Sequence, residues 1–185
     1  MGLQVETQAD WWKALAAPFA ARDIEWRVGA TNQEKTKGLA VAYLTARAVM
    51  DRLDAAVGPE NWCDEYAAGP AGGVLCSLFI RVNDEWISKE DAAENTDIES
   101  VKGGISDSLK RAAVKWGIGR YLYNLDGIWM EIEQRGNTSI LRGTPPLPAW
   151  ALPEGEKQAP KQEGAPKGKA TKPATDDAER SRRAF

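Results

Sequence analysis

The chain has 185 residues, 43% of them hydrophobic, with 24 basic against 27 acidic side chains and a formal net charge of −3. That length and apolar content suit one domain of moderate size, and no run of 18 apolar residues offers a membrane span. With no histidine and two cysteines, the usual general base and the usual zinc ligand sets are excluded, and any nucleic-acid site must rest on locally clustered cations.

The first twenty residues lack a basic start followed by an apolar block, so a cytoplasmic protein is expected. Asp10 to Ala21 reads as a helix, with Trp11, Trp12, Leu15, Ala16 and Phe19 apolar. Ile24 to Val28 reads as extended and Ala30 to Lys37 as a polar loop. Gly38 to Leu44 fits strand and helix equally. Ala46 to Val57 is a helix with Val49, Met50, Leu53 and Val57 inward, stopped by Gly58-Pro59.

Three strands follow: Trp62 to Tyr66, Val74 to Val82 and Glu85 to Asp91, joined by the glycine-rich turn 69–73 and the tight turn Asn83-Asp84. Val74, Cys76, Leu78, Ile80 and Val82 alternate onto one face. Cys63 and Cys76 fall opposite each other if the hairpin turns near residues 69 and 70. Two reduced buried thiols are the alternative, and the one a cytoplasmic chain favours.

A long helix runs from about Ile98 to Gly117. Ile98, Val101, Ile105, Leu109, Ala112 and Trp116 form its apolar stripe. Lys102, Ser106 and Lys110 step along another face, and Arg111 and Lys115 form a row beside them, with cations at about 6 Å steps. Gly127 to Glu133 offers one more strand. The expected fold is therefore α+β: a three-stranded antiparallel meander packed by a long helix, a β-β-β-α core with flanking helices.

Composition changes near residue 144, where Thr144-Pro145-Pro146-Leu147-Pro148 interrupts regular structure. From Glu154 the chain has no aliphatic residue larger than alanine before the terminal Phe185 and carries net charge +2, against −5 for the rest. Residues 151–185 are expected to be a disordered tail, and 1–150 one ordered domain. The tail reads equally as a tether and as a solubilising segment.

Gly103 to Lys110 lacks phosphate-loop spacing and is helical in period, and Gly117-Ile118-Gly119 is too short for a dinucleotide fingerprint, so no ATP site is expected. Asp64, Asp84, Glu85, Glu90 and Asp91, with Lys89 nearby, make a magnesium-dependent nuclease the rival reading, although no recognisable spacing joins them. The cation row lies opposite the apolar stripe and is followed by Arg120, Tyr121 and Tyr123. A second basic region, Arg27, Lys35 and Lys37, precedes Tyr43 and Arg47. Cations that track phosphates, interleaved with rings that stack on bases, suit single strands. Each of Tyr43, Tyr121 and Tyr123 serves equally well as a packing residue.

Ser106-Asp107-Ser108-Leu109-Lys110-Arg111-Ala112, followed by Trp116-Gly117-Ile118-Gly119-Arg120-Tyr121-Leu122-Tyr123, resembles the Rad fifty-two family of single-strand annealing proteins, nearest its short bacterial DdrA-like members. Tyr43 to Trp62, ending Val57-Gly58-Pro59-Glu60-Asn61-Trp62, resembles the same family's helix entering its first strand, and the similarity spans roughly residues 20–130. The resemblance implies a homo-oligomeric ring or helical filament. It also implies a basic outer groove that holds single-stranded DNA with its bases exposed for pairing, with no cofactor and no ATP. Lys110 and Arg111 match its groove phosphate contacts, Tyr43 a groove tyrosine, Arg27 a groove arginine, and Lys102 a second DNA site. A single-strand DNA-binding protein or an exonuclease is the further partner it implies; no membrane is involved.

Three departures stand out. A family arginine falls on Val114, beside Lys115. The spacing from Arg27 to Tyr43 is longer. The Asn83-Asp84 loop is short and acidic where longer relatives carry a lysine. No counterpart of the recombinase-binding carboxy-terminal region of eukaryotic relatives is expected. Protection of single-strand ends without strong annealing therefore stays open beside annealing in recombination and break repair. In either case the protein is expected not to be an enzyme.

Overall fold

The computed structural model describes residues 10–69, 72–94, 100–136 and 138–157, and only the backbone of 100–102. Ile98, the side chains of Val101 and Lys102, Pro70-Ala71 and the tail from 158 onward lie outside the described residues. No described helix is long and apolar enough to cross a membrane.

Helix α1 spans Trp11–Ala16, shorter than its apolar pattern suggests. Ala17 is already extended (φ −60°, ψ 145°) because it precedes Pro18, whose ring disfavours a helical neighbour. Arg52, from helix α2 (Ala46–Val57), secures this end. Its Nη1 donates to the carbonyls of Ala14 (3.0 Å) and Ala17 (2.6 Å), its Nη2 to that of Pro18 (3.3 Å), and its guanidinium lies 3.8 Å from the Phe19 ring centroid. One cation thus gathers carbonyls at the end of α1 and on the approach to Phe19, adding to the Ala17 amide's bond to Ala14. Burial lowers the Arg52 pKa, but arginine's ordinary value leaves it charged. Thr45 caps the start of α2 by accepting from the Ala48 amide at 3.0 Å.

Strands β1 (Ile24–Thr31) and β2 (Lys37–Leu44) form a hairpin in which Arg27 faces Val41 and Glu25 faces Tyr43. Asn32 holds its turn, its Oδ1 accepting from the Thr36 (2.9 Å) and Lys37 (2.7 Å) amides. The segment Gly38–Leu44 is therefore strand. Its run of small and apolar residues carries no period of its own, and pairing on both sides decides it.

The meander consists of β3 (Trp62–Ala68), β4 (Val74–Val82) and β5 (Glu85–Ala93), in that spatial order. Its second turn forms as expected: Asn83 and Asp84 both take positive φ (50° and 65°), as a two-residue hairpin loop requires. The first turn closes later than expected, with Gly69 N–H donating to Gly73 O at 2.7 Å. Tyr66 consequently pairs with Cys76, and Cys63 with Phe79. The two cysteines are not opposite each other. Cys63 is exposed, Cys76 is buried, and both are free thiols.

Helix α3 (Ser100–Lys115) packs across β4 and β5. The buried face is Gly104, Ser108, Leu109, Ala112 and Ala113, rotated from the apolar stripe, with Ile105 partly exposed. Small residues let the helix approach the sheet closely, which a search for large apolar side chains does not register. Ser108, fully buried, donates its hydroxyl to the Ile105 carbonyl at 3.0 Å. Trp116 donates Nε1–H to the Leu78 carbonyl on β4 at 3.1 Å. Gly117 then turns the chain at φ 100°.

The largest departure from expectation is a second sheet. Strand β6 (Ile128–Arg135) pairs with β2 over Lys37–Ala40, and β7 (Thr138–Leu141) pairs with β6, giving the order β1-β2-β6-β7. Pairing between strands about ninety residues apart leaves no local signature in a chain. The central core joins Leu15, Ile24, Leu44, Val49, Leu53, Leu78, Ile80, Leu109 and Ile118. The chain continues to pack past residue 150: Ala151 is fully buried, and Glu156 accepts from the Ala21 amide at 3.0 Å.

Burial pushes the Cys76 thiol from its ordinary 9.0 up to about 11. Its folded form keeps a proton that the unfolded chain releases, so this contribution to stability is whole below pH 9 and is lost as pH rises toward 11. Urea melts taken across that range are expected to show falling stability, with a shallower fall in Cys76→Ala. An equal fall in the variant would remove Cys76 as its cause.

Candidate nucleic-acid interface

A groove of about 970 Å³ runs between β2 and α3, bounded also by the end of β5 and the segment 118–127. It exists because β6 accompanies β2 only as far as Ala40, so residues 41–44 face α3 across open space. Gly119, in the left-handed conformation at φ 67°, brings the backbone against Leu44. A Cβ there would meet Leu44 Cδ1 at 2.6 Å, and the chain turns along the groove wall as a result.

Four expected residues meet in this groove: Arg27, Tyr43, Lys110 and Arg111. Tyr43 is the hub. The Arg27 guanidinium carbon lies 5.7 Å and Lys110 Nζ 5.8 Å from its ring centroid, within reach of the ring's quadrupole. The Tyr43 hydroxyl donates to Glu25 Oε2 at 2.5 Å. That bond raises the phenol's pKa, and burial raises it further, so the ring stays neutral.

Both helix cations also have acidic partners. Lys110 pairs with Asp107 one turn earlier at 2.6 Å, and Arg111 Nε donates to Asp91 on β5 at 3.1 Å. These contacts hold the cations at the groove without burying them: the Lys110 side chain keeps 27% and that of Arg111 54% of its exposure. Arg111 spends only one edge of its fork on Asp91, and a guanidinium carries further donors suited to a phosphate. Tyr123, 74% exposed, stands on the same groove wall.

The remaining expected cations lie elsewhere. Arg120 folds back on α3, donating Nε–H to Val114 O (2.8 Å) and Nη2–H to Lys115 O (2.7 Å), where it caps carbonyls at the helix end. Lys115 donates Nζ–H to the Glu90 carbonyl and pairs with Asp91 at 3.7 Å, while Lys89 reaches the Lys115 carbonyl at 2.9 Å. These cations fasten α3 to β5. Arg47 is exposed in the first turn of α2, away from the groove lining. The Lys102 side chain lies outside the described residues. Tyr121 is a packing residue, its hydroxyl accepting from the Phe19 amide at 2.8 Å.

The carboxylates of the nuclease reading are spread over the meander. Asp91 faces α3, while Glu90, next along the strand, accepts from Ser77 at 2.7 Å on the other face. Asp64 accepts from Tyr66 at 2.6 Å, and Asp84 pairs with Arg81 at 2.7 Å in the turn. Among the described residues no three His, Cys, Asp or Glu side chains converge on a metal position.

Sequence reasoning missed the acidic surroundings of the groove: Glu94, Asp107 and Asp126 line it, and Glu25 accepts from Tyr43 at its edge. Glu25 is recognisable only once β1 is registered against β2. Asp107 is visible as the residue three before Lys110, a spacing that pairs side chains on one helix face.

The profile of the family described as Rad52/22 family double-strand break repair protein matches residues 8–72 and 80–138. Two similar proteins are each named single-stranded DNA-binding protein DdrA. That of Deinococcus radiodurans is 37% identical over 153 residues, covering 80% of this chain and 71% of the relative. That of Deinococcus deserti is 37% identical over 151 residues, covering 80% of this chain and 73% of the relative.

Proposed function

Because the chain belongs to the Rad52/22 family of double-strand break repair proteins, we propose that its groove binds single-stranded DNA and promotes annealing of complementary strands without ATP. The observation that carries this reading is the placement of Arg27 and Lys110 about one aromatic ring, with Arg111 beside them, in an open groove. Phosphates replace counterions along the cations, while Tyr43 and Tyr123 offer π-faces that accept any base. Pairing itself supplies the driving force; the protein holds the strand extended and reduces phosphate repulsion.

The protein acts as a homo-oligomer, a ring or helical filament, in the cytoplasm. Half-exposed Trp86 on β5 and Trp12 on α1 support self-association, since large aromatics are enriched at interfaces. A single-strand DNA-binding protein or an exonuclease is its natural companion in recombination and repair.

The test is incubation of labelled complementary strands with magnesium and no nucleotide. Faster pairing with intact strands is expected; shortened strands would support a nuclease instead. Protection of ends without pairing is the second reading. It is favoured by the short acidic β4–β5 turn, where Arg81 is already occupied by Asp84.

The groove carboxylates should weaken strand binding. Asp107→Asn removes a charge that a phosphate must otherwise displace from Lys110. It is expected to tighten binding several-fold at low salt and to steepen the salt dependence by up to about 0.7 in log–log slope, the increment of one single-strand phosphate contact. A salt titration by fluorescence anisotropy measures both; unchanged or weaker binding would show that Asp107 does not compete.

A further inference from the structure

We infer that Trp129 is a base-stacking residue that carries the single strand beyond the groove, across the outer face of the four-stranded sheet. This rests on the groove being the strand's binding site. Trp129 sits on β6 directly opposite Leu39 of β2. Paired residues in an antiparallel ladder project from the same face, and alternate residues along a strand share it. Trp129 therefore shares a face with Leu39, Val41 and Tyr43 of β2, and with Arg27, which is paired with Val41.

Leu39, Val41 and Gly127 line the groove, and Trp129 is the second residue of β6, whose start at Ile128 directly follows Gly127. The path from Tyr43 to Trp129 is about 13 Å along β2, four residues at strand rise. Its floor is apolar, and a cation stands at its far end: Lys37, in register with Glu131. Gly127 keeps that floor low, since a Cβ there would meet Leu39 Cδ1 at 2.8 Å.

Trp129 is 52% exposed on this face, so about half of its surface is open to a ligand. Placed in line with the groove, it has the one property a sequence-tolerant strand needs there, a broad π-face. The chemistry it recognises is an unpaired base rather than a phosphate.

That distinction sets the test, made on the full chain with an oligothymidine strand and with a matched strand whose bases are removed. Trp129→Ala is expected to weaken binding to the intact strand by about 5- to 150-fold, the range of one base–aromatic stack. The salt slope should stay at the wild-type value, and Trp129→Phe should recover much of the loss. On the base-free strand the alanine variant and wild type should bind alike. Equal affinity of Trp129→Ala and wild type for the intact strand would overturn the inference. So would a loss accompanied by a shallower salt slope, or one explained by dissociation of the assembly in mass photometry. If Lys110 and Arg111 matter and Trp129 does not, this inference fails alone. If neither matters, the groove itself is misassigned and the inference falls with it.

Discussion

Reversing the charges of Lys110 and Arg111 together is expected to lower affinity for a single strand by about 100-fold at about 0.1 M salt, or ~1–2 kcal/mol for each contact turned repulsive. The log–log salt slope should fall by about 1.4, two single-strand phosphate contacts at about 0.7 each. Both residues lie on the exposed flank of α3, so the fold should survive. Arg111 does take part in fastening α3 to β5, but Lys115 also pairs with Asp91, and Lys89 independently reaches the end of the helix. A melting temperature within a few degrees of wild type is the control. Retained affinity with an unchanged slope would remove the phosphate role from this pair.

The second large effect concerns stability. Arg52→Ala removes donors from four carbonyls, those of Ala14, Leu15, Ala17 and Pro18, together with the cation over Phe19. Hydrogen bonds from a charged donor contribute about 1.5–3 kcal/mol each, and some of these carbonyls regain water when the side chain is lost. A net cost of about 3 kcal/mol is therefore expected, read as a fall in melting temperature of roughly 10 °C for a chain of this size. Arg52→Lys should recover little, because a single ammonium cannot span carbonyls from Ala14 to Pro18. A loss below about 1 kcal/mol in urea titration would show that α1 is held by its apolar contacts instead.

Legibility in the sequence followed the range of the interactions. Helix α2 and strand β4 have the boundaries that their periodicity and flanking glycines announce, since everything that defines them is local. The Asn83-Asp84 turn is of the same kind. Helix α1 ends short of its apolar pattern because Pro18 acts on Ala17, ahead of the residues whose apolar spacing continues. The register of Cys63 and Cys76 depended on where a five-residue turn closes, and glycines there permit several closures. The β2–β6 pairing was invisible, and with it the reason a groove opens beside Tyr43.

The candidate site divides in the same way. Lys110 and Arg111 stand out from helical spacing alone, and Tyr43 and Arg27 from their resemblance to family positions. That Arg120 and Lys115 serve the end of α3 could not be read from their order along the chain, because a basic residue after a helix suits a cap and a ligand equally. Nor does the sequence show that the groove is part acidic. Glu25 and Asp107 temper it locally, by holding the Tyr43 hydroxyl and the Lys110 ammonium.

The most direct test is photo-crosslinking of the full chain to an oligonucleotide carrying iodinated pyrimidines, with the attached peptides identified by mass spectrometry. Adducts should concentrate at Tyr43 and Tyr123, with Trp129 joining them where the strand continues along β2, and be lost when Lys110 and Arg111 are reversed. Adducts confined to Trp86 and Phe79, on the far face of the three-stranded sheet, and unaffected by that reversal would place the strand elsewhere and contradict the account.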